Sequence, residues 1–318
     1  NGGGHWTRVR LEATVALLSG RSNVVFRTGE GDGYHGGHVM VAGSQDGVWV
    51  GTAHMQAVDF VSMGKFFHEY PALYFKYQDL SIGADNSTIT RCLFSSSQAG
   101  AVAGDGVQHL TLSGNIFDRT YRTALWIMST AVGDDIVITG NVAIQTLRHP
   151  LETTVWVNGF AAFLIEVPVA TLAGNVAAGS ADTGFMIKPS LDACVEGDSG
   201  LAPLEEELIN EAVACMTGFF VLRGCADDCD SCATLRGVVA WKNSHIGIVT
   251  VDQNTNFRMD SVLVSDNHIG TSLHFQRSRE DNEHRVYMHN VTIFGSTSAS
   301  TCDASIWCRA YGRSDAVG

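Results

Sequence analysis

Three groups of residues in this 318-residue chain carry side chains that could act chemically. The first is a pair of carboxylate doublets, Asp134-Asp135 and Asp227-Asp228. Glycoside cleavage uses two carboxyl groups about 5 to 9.5 Å apart, one as acid and the other as nucleophile or base. Neighbours on an extended chain point to opposite faces, so each doublet would need a partner from another coil of the chain. The second group is His35, His38 and His68, which with an Asp would make a metal or acid–base site if the fold converged them. A lone His without an orienting group is a structural hydrogen bonder. The third is Gly29-Glu30-Gly31-Asp32-Gly33, whose oxygens could hold Ca²⁺ but whose spacing is that of a turn. No Gly-x-Ser-x-Gly elbow and no phosphate loop occurs, and residues 100–106 read as a turn-rich link. The expectation is no cofactor, with Ca²⁺ the one ion to consider.

Eight Cys form an even set concentrated in two clusters. Cys194, Cys215, Cys225, Cys229, Cys232, Cys302 and Cys308 are the disulfide candidates, with Cys92 apart from them. The spacing Cys225-x3-Cys229-x2-Cys232 also fits an iron–sulfur loop. Such loops follow the first strand of a barrel, and the 86 residues after Cys232 are too few for a barrel of about 200 or more. Zinc would need a fourth ligand that the spacing does not provide. Asn86-Ser87-Thr88 and Asn290-Val291-Thr292 are acceptor sequons, so Asn86 and Asn290 are the glycosylation candidates. Disulfides and sequons together point to an extracellular or cell-surface location.

The elements that would position these groups are short strands. Gly is abundant at 34 residues and Pro scarce at 5, while Val, Thr, Ile and Ser recur in short runs. The net charge of −13, from 20 Lys and Arg against 33 Asp and Glu, argues against binding nucleic acid. Charged residues make up 17% against about 25% in an average globular chain, and 45% are hydrophobic, which excludes a disordered polymer. The most apolar stretch, residues 155–174, is broken by Asn158, Glu166 and Pro168, so no membrane span is expected. The chain opens Asn1-Gly2-Gly3-Gly4 and reads as a segment of something longer.

An imperfect repeat dominates the organisation: a β-prone run, a small residue plus Asn, then another apolar run. It ends at Asn115, Asn141, Asn175, Asn243, Asn267 and Asn290, with steps of 26, 34, 68, 24 and 23 residues. Cys92 precedes Asn115 by a further 23. The pattern predicts an all-β fold, a right-handed parallel β-helix with coils of about 23 residues, in which the six Asn stack as a ladder. Residues 1–318 are read as one such unit, with insertions at about 149–167 and 189–233. The second is expected to be Cys-rich and helical over residues 203–216, with Leu204, Leu208, Ile209 and Val213 on one stripe.

Several stretches carry a family resemblance. Val15-Ala-Leu-Leu-Ser, Gly36-Gly37-His38-Val39-Met40-Val41, Tyr70-Pro71-Ala72-Leu73-Tyr74-Phe75, Gly140-Asn141-Val142-Ala143, Asn175-Val-Ala-Ala-Gly-Ser with Gly184-Phe185, and Ala240-Trp-Lys-Asn243-Ser-His-Ile-Gly247 occur in order. Together they resemble the parallel β-helix region of the fibrocystin, fibrocystin-like and cell-surface hyaluronidase family. The resemblance spans about residues 10 to 300 and implies a large surface or secreted parent protein. In the hyaluronidase branch two His flank a Phe after the Tyr-Pro stretch. Here that run is Leu73-Tyr74-Phe75-Lys76, and only His38 is retained.

The function expected is a non-catalytic structural or adhesion module of a fibrocystin-like cell-surface or ciliary/flagellar protein. Its partners would be neighbouring domains of the parent chain, other surface proteins or polysaccharide, with assembly into filaments and no nucleic acid. The alternative is a β-helix that binds or depolymerises a hyaluronan-like polysaccharide, using His38 and nearby acids. Trp49, Trp126, Trp156, Trp241, Tyr70, Tyr74 and Phe75 are the aromatics that could stack on sugars or fill the interior.

Overall fold

The computed structural model describes residues 24–28, 36–43, 51–66, 70–78, 86–128, 135–148, 160–192, 208–224, 231–275 and 284–295. Its strands fall into three sheets. The first runs β1 (Val24–Arg27), β4 (Val58–Val61), β7 (Leu93–Ser95), β10 (Ile116–Asp118), β13 (Val142–Ile144), β16 (Val176–Ala178), β19 (Asn210–Val213), β21 (Cys232–Trp241), β23 (Asn256–Ser265) and β25 (Val286–Ile293). The second runs β2 (Val39–Ala42), β5 (Leu73–Gln78), β8 (Gly100–Val107), β11 (Thr123–Ile127), β14 (Ala161–Ile165), β17 (Thr183–Ile187), β20 (Thr217–Val221), β22 (Ile246–Gln253) and β24 (Ile269–Phe275). The third holds β3 (His54–Gln56), β6 (Ser87–Thr90), β9 (Leu110–Ser113), β12 (Val137–Thr139) and β15 (Thr171–Ala173).

Within each sheet the strands succeed one another in chain order, pairing in parallel. The exception is β18 (Ser190–Asp192), which lies antiparallel against the start of β21. The chain therefore winds through the sheets coil after coil, which is a parallel β-helix. No helix among the described residues is long and apolar enough to cross a membrane.

Inward residues fill the coils in two complementary columns. On the first sheet Phe60, Phe94 and Phe117 are in register and continue as Ala143, Ala177 and Ala212. The second sheet reverses the order: Leu73, Val102 and Leu125 are followed by Phe163, Phe185 and Phe219. At these register positions each coil sets one Phe opposite a smaller side chain, all twelve residues are buried, and the first of these coils adds a second inward ring, Phe75, beside Gly104 of the next strand. The rings stack within each column, at 4.6 Å between Phe60 and Phe94 and 4.7 Å between Phe163 and Phe185. Where the large residue changes sheet, Phe117 meets Phe163 edge-on at 6.4 Å. Close packing of the tube favours this exchange, because two Phe facing each other at this one level would crowd it and two Ala would leave a void.

The corners are held by stacked amides, and the repeated Asn divide between two corners. Between the third and first sheets stand Asn115, Asn141, Asn175 and Asn210. Asn141 Nδ2 donates to the Leu112 carbonyl at 2.9 Å and to Asn175 Oδ1 at 2.9 Å. Its Oδ1 accepts from the Asn115 backbone N–H at 3.0 Å and from Asn115 Nδ2 at 2.9 Å. Two donors and one doubly used acceptor oxygen satisfy the amide completely. Asn175 bonds Asn210 in the same way, and Cys92 N–H donates to Asn115 Oδ1 at 2.9 Å where the ladder begins. Beyond Asn210 the register position is Val238, then Val262 and Val291. There one left-handed residue, Gly237 or Ser261, bends a continuous strand, and the corner has no second residue to tie down.

The second ladder stands between the first and second sheets. Cys215 N–H donates to Asn243 Oδ1 at 3.0 Å, and Asn243 N–H and Nδ2 both donate to Asn267 Oδ1 at 2.9 Å. These amides lie against the next strands: a Cβ at Gly218 would come within 2.9 Å of Asn243 Nδ2, and one at Gly247 within 2.8 Å of Asn267 Nδ2. The carbonyls of Gly247 and Gly270 come closer still, at 2.5 and 2.6 Å, so backbone and ladder together require glycine at those two positions.

Four expectations need correction. The helix over residues 203–216 is absent where the chain is described: residues 210–213 are β19, and residues 201–207 lie outside the described set. Tertiary pairing with β16 and β21 overrides the local helical stripe. Asn210 is consequently a ladder rung, splitting the 68-residue step into 35 and 33. The proposed insertions also overlap regular coils, since β14 falls within 149–167 and β18, β19 and β20 within 189–233. Coils are accordingly not uniform at 23 residues, and ladder steps range from 23 to 35. Finally, Asn290 belongs to neither ladder. It sits left-handed inside β25, exposed, with Nδ2 3.4 Å from Ser261 Oγ.

Replacing Asn141 by Leu strips the Asn115 amides of their acceptor and the Leu112 carbonyl of its donor. Buried groups left unpaired cost about 1–3 kcal/mol each, so urea titration of Asn141→Leu should show a loss of at least about 2 kcal/mol. Asn86→Ala, at an exposed site, should stay within about 0.5 kcal/mol of wild type. Phe185→Ala should cost about 3–5 kcal/mol, and adding Ala177→Phe in the same coil should restore part of that loss. A double variant no more stable than the sum of the two single effects would contradict the volume exchange.

Candidate functional site

The outer face of the second sheet carries Tyr74 and Trp126, with His38 and Tyr70 near its start. Tyr74, Ala103, Trp126, Leu164, Met186, Phe220 and Val249 are in register along it. Ala161, Leu164, Met186, Phe220 and Val249 form a buried apolar cluster separate from the interior. The sheet is thus apolar on both faces, which explains why its strands read as unbroken apolar runs such as Ala161–Ile165 instead of alternating.

A cleft of about 250 Å³ opens on this face between Pro71, Arg122, Trp126, Phe160 and Glu166. Arg122 occupies a left-handed corner position at φ 66°. That geometry lays its guanidinium over two rings, 4.7 Å from the Phe66 centroid and 5.5 Å from that of Phe160. A cation held on aromatic faces beside apolar walls can take a ligand that has a flat or apolar face and a polar edge. Glu166 is the carboxylate in the lining, so the cleft offers one carboxyl group where glycoside cleavage uses two.

Toward the start of the same sheet, His38 stacks on Tyr70 with centroids 5.0 Å apart and planes inclined by 13°. Burial, followed by the charge of Lys65, holds the His38 imidazole below its ordinary pKa, so it is neutral at pH 7. Tyr74 donates to Asp105 at 3.1 Å, and Lys76 lies 3.7 Å from the same carboxylate. These contacts give His38 an aromatic partner and leave Asp105 engaged by its neighbours on the sheet.

The remaining predicted residues separate as follows. His35, His68, residues 29–33, Asp134, Asp227, Asp228, Cys194, Cys225, Cys229, Cys302, Cys308, Trp49 and Trp156 lie outside the described residues. Asp135 is exposed and pairs with His109 Nδ1 at 3.1 Å. No group of three or more His, Cys, Asp or Glu able to hold a metal occurs among the described residues. Phe75 is an interior residue, while Trp241 donates its indole N–H to Glu211. Asn86 and Asn290 are both exposed.

Cys215 is corrected as a disulfide candidate: it is a buried free thiol at the head of the second ladder. Burial pushes that thiol up to about 12, so it is neither a nucleophile nor a ready redox partner. Cys92 is likewise free and buried, at the head of the first ladder. Cys232 is buried and does not count among the free thiols.

Sequence reasoning missed two buried carboxylates. Asp260 is almost wholly buried in β23 and is held by Arg236 at 3.3 Å, His289 Nδ1 at 3.0 Å and Ser261 Oγ at 3.1 Å. Asp182 is buried at a corner with Arg148 at 3.4 Å. The charged partners Arg236, His289 and Arg148 come from other coils, so no local spacing announces either site.

Comparison with known proteins finds no matching family model, curated protein or solved structure.

Asp182 generates a pH prediction. Desolvation raises its pKa to about 6 against the opposing attraction of Arg148. The folded state therefore favours the protonated acid, and the associated stability is full below the unfolded pKa of 3.8 and lost as pH rises through about 6. Urea midpoints measured from pH 4 to 7 should fall across this window in wild type more than in Asp182→Asn. Parallel curves for the two proteins would remove Asp182 as the cause.

Proposed function

We propose that this chain is a rigid, non-catalytic rod module of a large fibrocystin-like cell-surface protein, ciliary or flagellar in setting. The observation that carries the reading is the continuous coil-to-coil tie formed by the two amide ladders. Each rung binds its neighbours through side chain and backbone at once, so the coils cannot slide or hinge independently. A stiff rod with an apolar outer face suits a part that spaces and presents binding surfaces more than one that closes around a substrate.

The strands at either end of the described stack support a role within a larger assembly. Val24, Val25 and Phe26 are exposed on β1, and Val286, Met288 and Ile293 on β25. An edge strand with exposed apolar side chains is a template for another strand. The partners proposed for these edges are neighbouring domains of the parent chain, or further copies in a filament. Exposed Asn86 and Asn290 carry the glycans in this reading, and the Cys-rich stretch is secured by disulfides in an extracellular setting.

A second reading rests on the cleft at Arg122, Trp126 and Phe160, whose rings and cation fit a polysaccharide. Both are tested by incubating the protein, with and without added Ca²⁺, with high-molecular-weight hyaluronan and a panel of other acidic polysaccharides while following polymer size. The rod reading expects unchanged polymer length, with any retention of polymer lost in Trp126→Ala. Shortening that disappears in His38→Ala would replace it with an enzymatic function.

A further inference from the structure

Among the described residues the third sheet ends at β15, where Thr171–Ala173 pairs with β12, and β21 begins with Cys232 beside the short antiparallel β18. At this point a cavity of about 250 Å³ enters the wall. Its floor is the helix interior, with Ile165, Leu172, Ile187, Phe219 and Val238. Its mouth is marked by Pro168, Ala170 and Ser190, which are exposed.

The third component of the lining is polar and basic. Lys188 and Arg236 face the cavity together with Thr234. Arg236 is paired with Asp260. Lys188 donates to the Arg223 carbonyl and has no carboxylate partner among the described residues. Thr234 is more than nine-tenths buried, and its Oγ1 has no hydrogen-bond partner among the described residues. In register with Thr234 on the next strand, Arg258 is also buried, with Nε and Nη2 unpartnered. Buried hydroxyls and guanidinium groups are normally satisfied, and a cation partly out of water calls for a counter-charge. In a chain with net charge −13, a cavity lined by two basic side chains, of which Lys188 has no carboxylate partner among the described residues, is a local exception.

We propose that this cavity is a binding site for a small amphipathic carboxylate, with its apolar chain against the Phe219 floor and its carboxylate on Lys188 and the Thr234 hydroxyl. The size agrees: the cavity lies below the roughly 300–1,000 Å³ of sites for drug-sized ligands, so it suits a short chain. Burial and then Arg223 hold the Lys188 ammonium below its ordinary pKa, and an anion beside it would oppose that shift. This site is independent of the rod reading and lies apart from the Arg122 cleft.

Titration calorimetry with octanoate, octanol and sulfate tests it. Octanoate should bind saturably, with octanol and sulfate each weaker by about tenfold or more, the scale of a charge-assisted hydrogen bond. Lys188→Met should weaken octanoate by about tenfold with an unchanged circular dichroism spectrum, and Thr234→Val should weaken it less. A reading on wild-type protein guards against a misfolded variant: octanoate should protect Lys188, but not exposed Lys242, from acetic anhydride as followed by mass spectrometry. Absence of saturable octanoate binding, equal affinity for octanol or for sulfate, or failure to protect Lys188 would each overturn the proposal.

Discussion

The buried amide of the corner asparagines is the interaction on which the architecture depends. A parallel coil must turn its backbone three ways without leaving buried N–H and C=O groups unpaired, and strand pairing alone cannot satisfy the residues inside a corner. Asn supplies two donors and a two-fold acceptor in one compact group, so a single side chain can answer the coil above and the coil below. The ladders therefore fix corner geometry and vertical register together. Where a corner needs only one left-handed residue, as at Gly237 and Ser261, Val replaces Asn at the same register position, because the backbone pairing runs through the bend. Each ladder begins at a buried free Cys that donates its backbone N–H to the first Asn, and the Cys215 thiol adds a contact to the Ala177 carbonyl of a neighbouring coil.

With the corners fixed, the interior becomes a packing problem at nearly constant volume. From Phe60 to Phe219 the coils answer it by setting a Phe opposite a smaller residue at one level and moving that Phe from the first sheet to the second after Phe117. The same corners constrain the backbone beside them: the amides of Asn243 and Asn267, with the carbonyls of Gly247 and Gly270, leave Gly218 and Gly247 no room for a side chain. Packing, polar satisfaction and backbone conformation are thus set by one arrangement, and a change at a rung is felt in all three.

The surfaces that matter for binding arise where this regularity is broken. The Arg122 cleft depends on a left-handed corner residue that throws its guanidinium across two rings, and the Lys188 cavity lies where the third sheet ends among the described residues. Both features combine apolar surface already present in the coil with a cation that the repeat does not require. The uninterrupted parts of the stack supply the stiffness that keeps such features in place.

The amino-acid sequence by itself determined the coil plan. Alternating short runs such as Leu110–Ser113 and the Gly-Asn pairs at 114–115, 140–141 and 174–175 carry their instructions locally, since strand period and corner chemistry are properties of a few adjacent residues. Tertiary structure decided which corner each Asn occupies, because the two corners use the same residue for the same hydrogen bonds and differ only in the sheets that they join. It also decided that residues 210–213 are a strand and not the helix their spacing suggests, because neighbouring coils on both sides pair with them. The buried Asp182 and Asp260, the Arg122 cleft and the Lys188 cavity were likewise invisible in the sequence. Each is assembled from residues tens of positions apart, which only the winding of the coils brings within bonding distance.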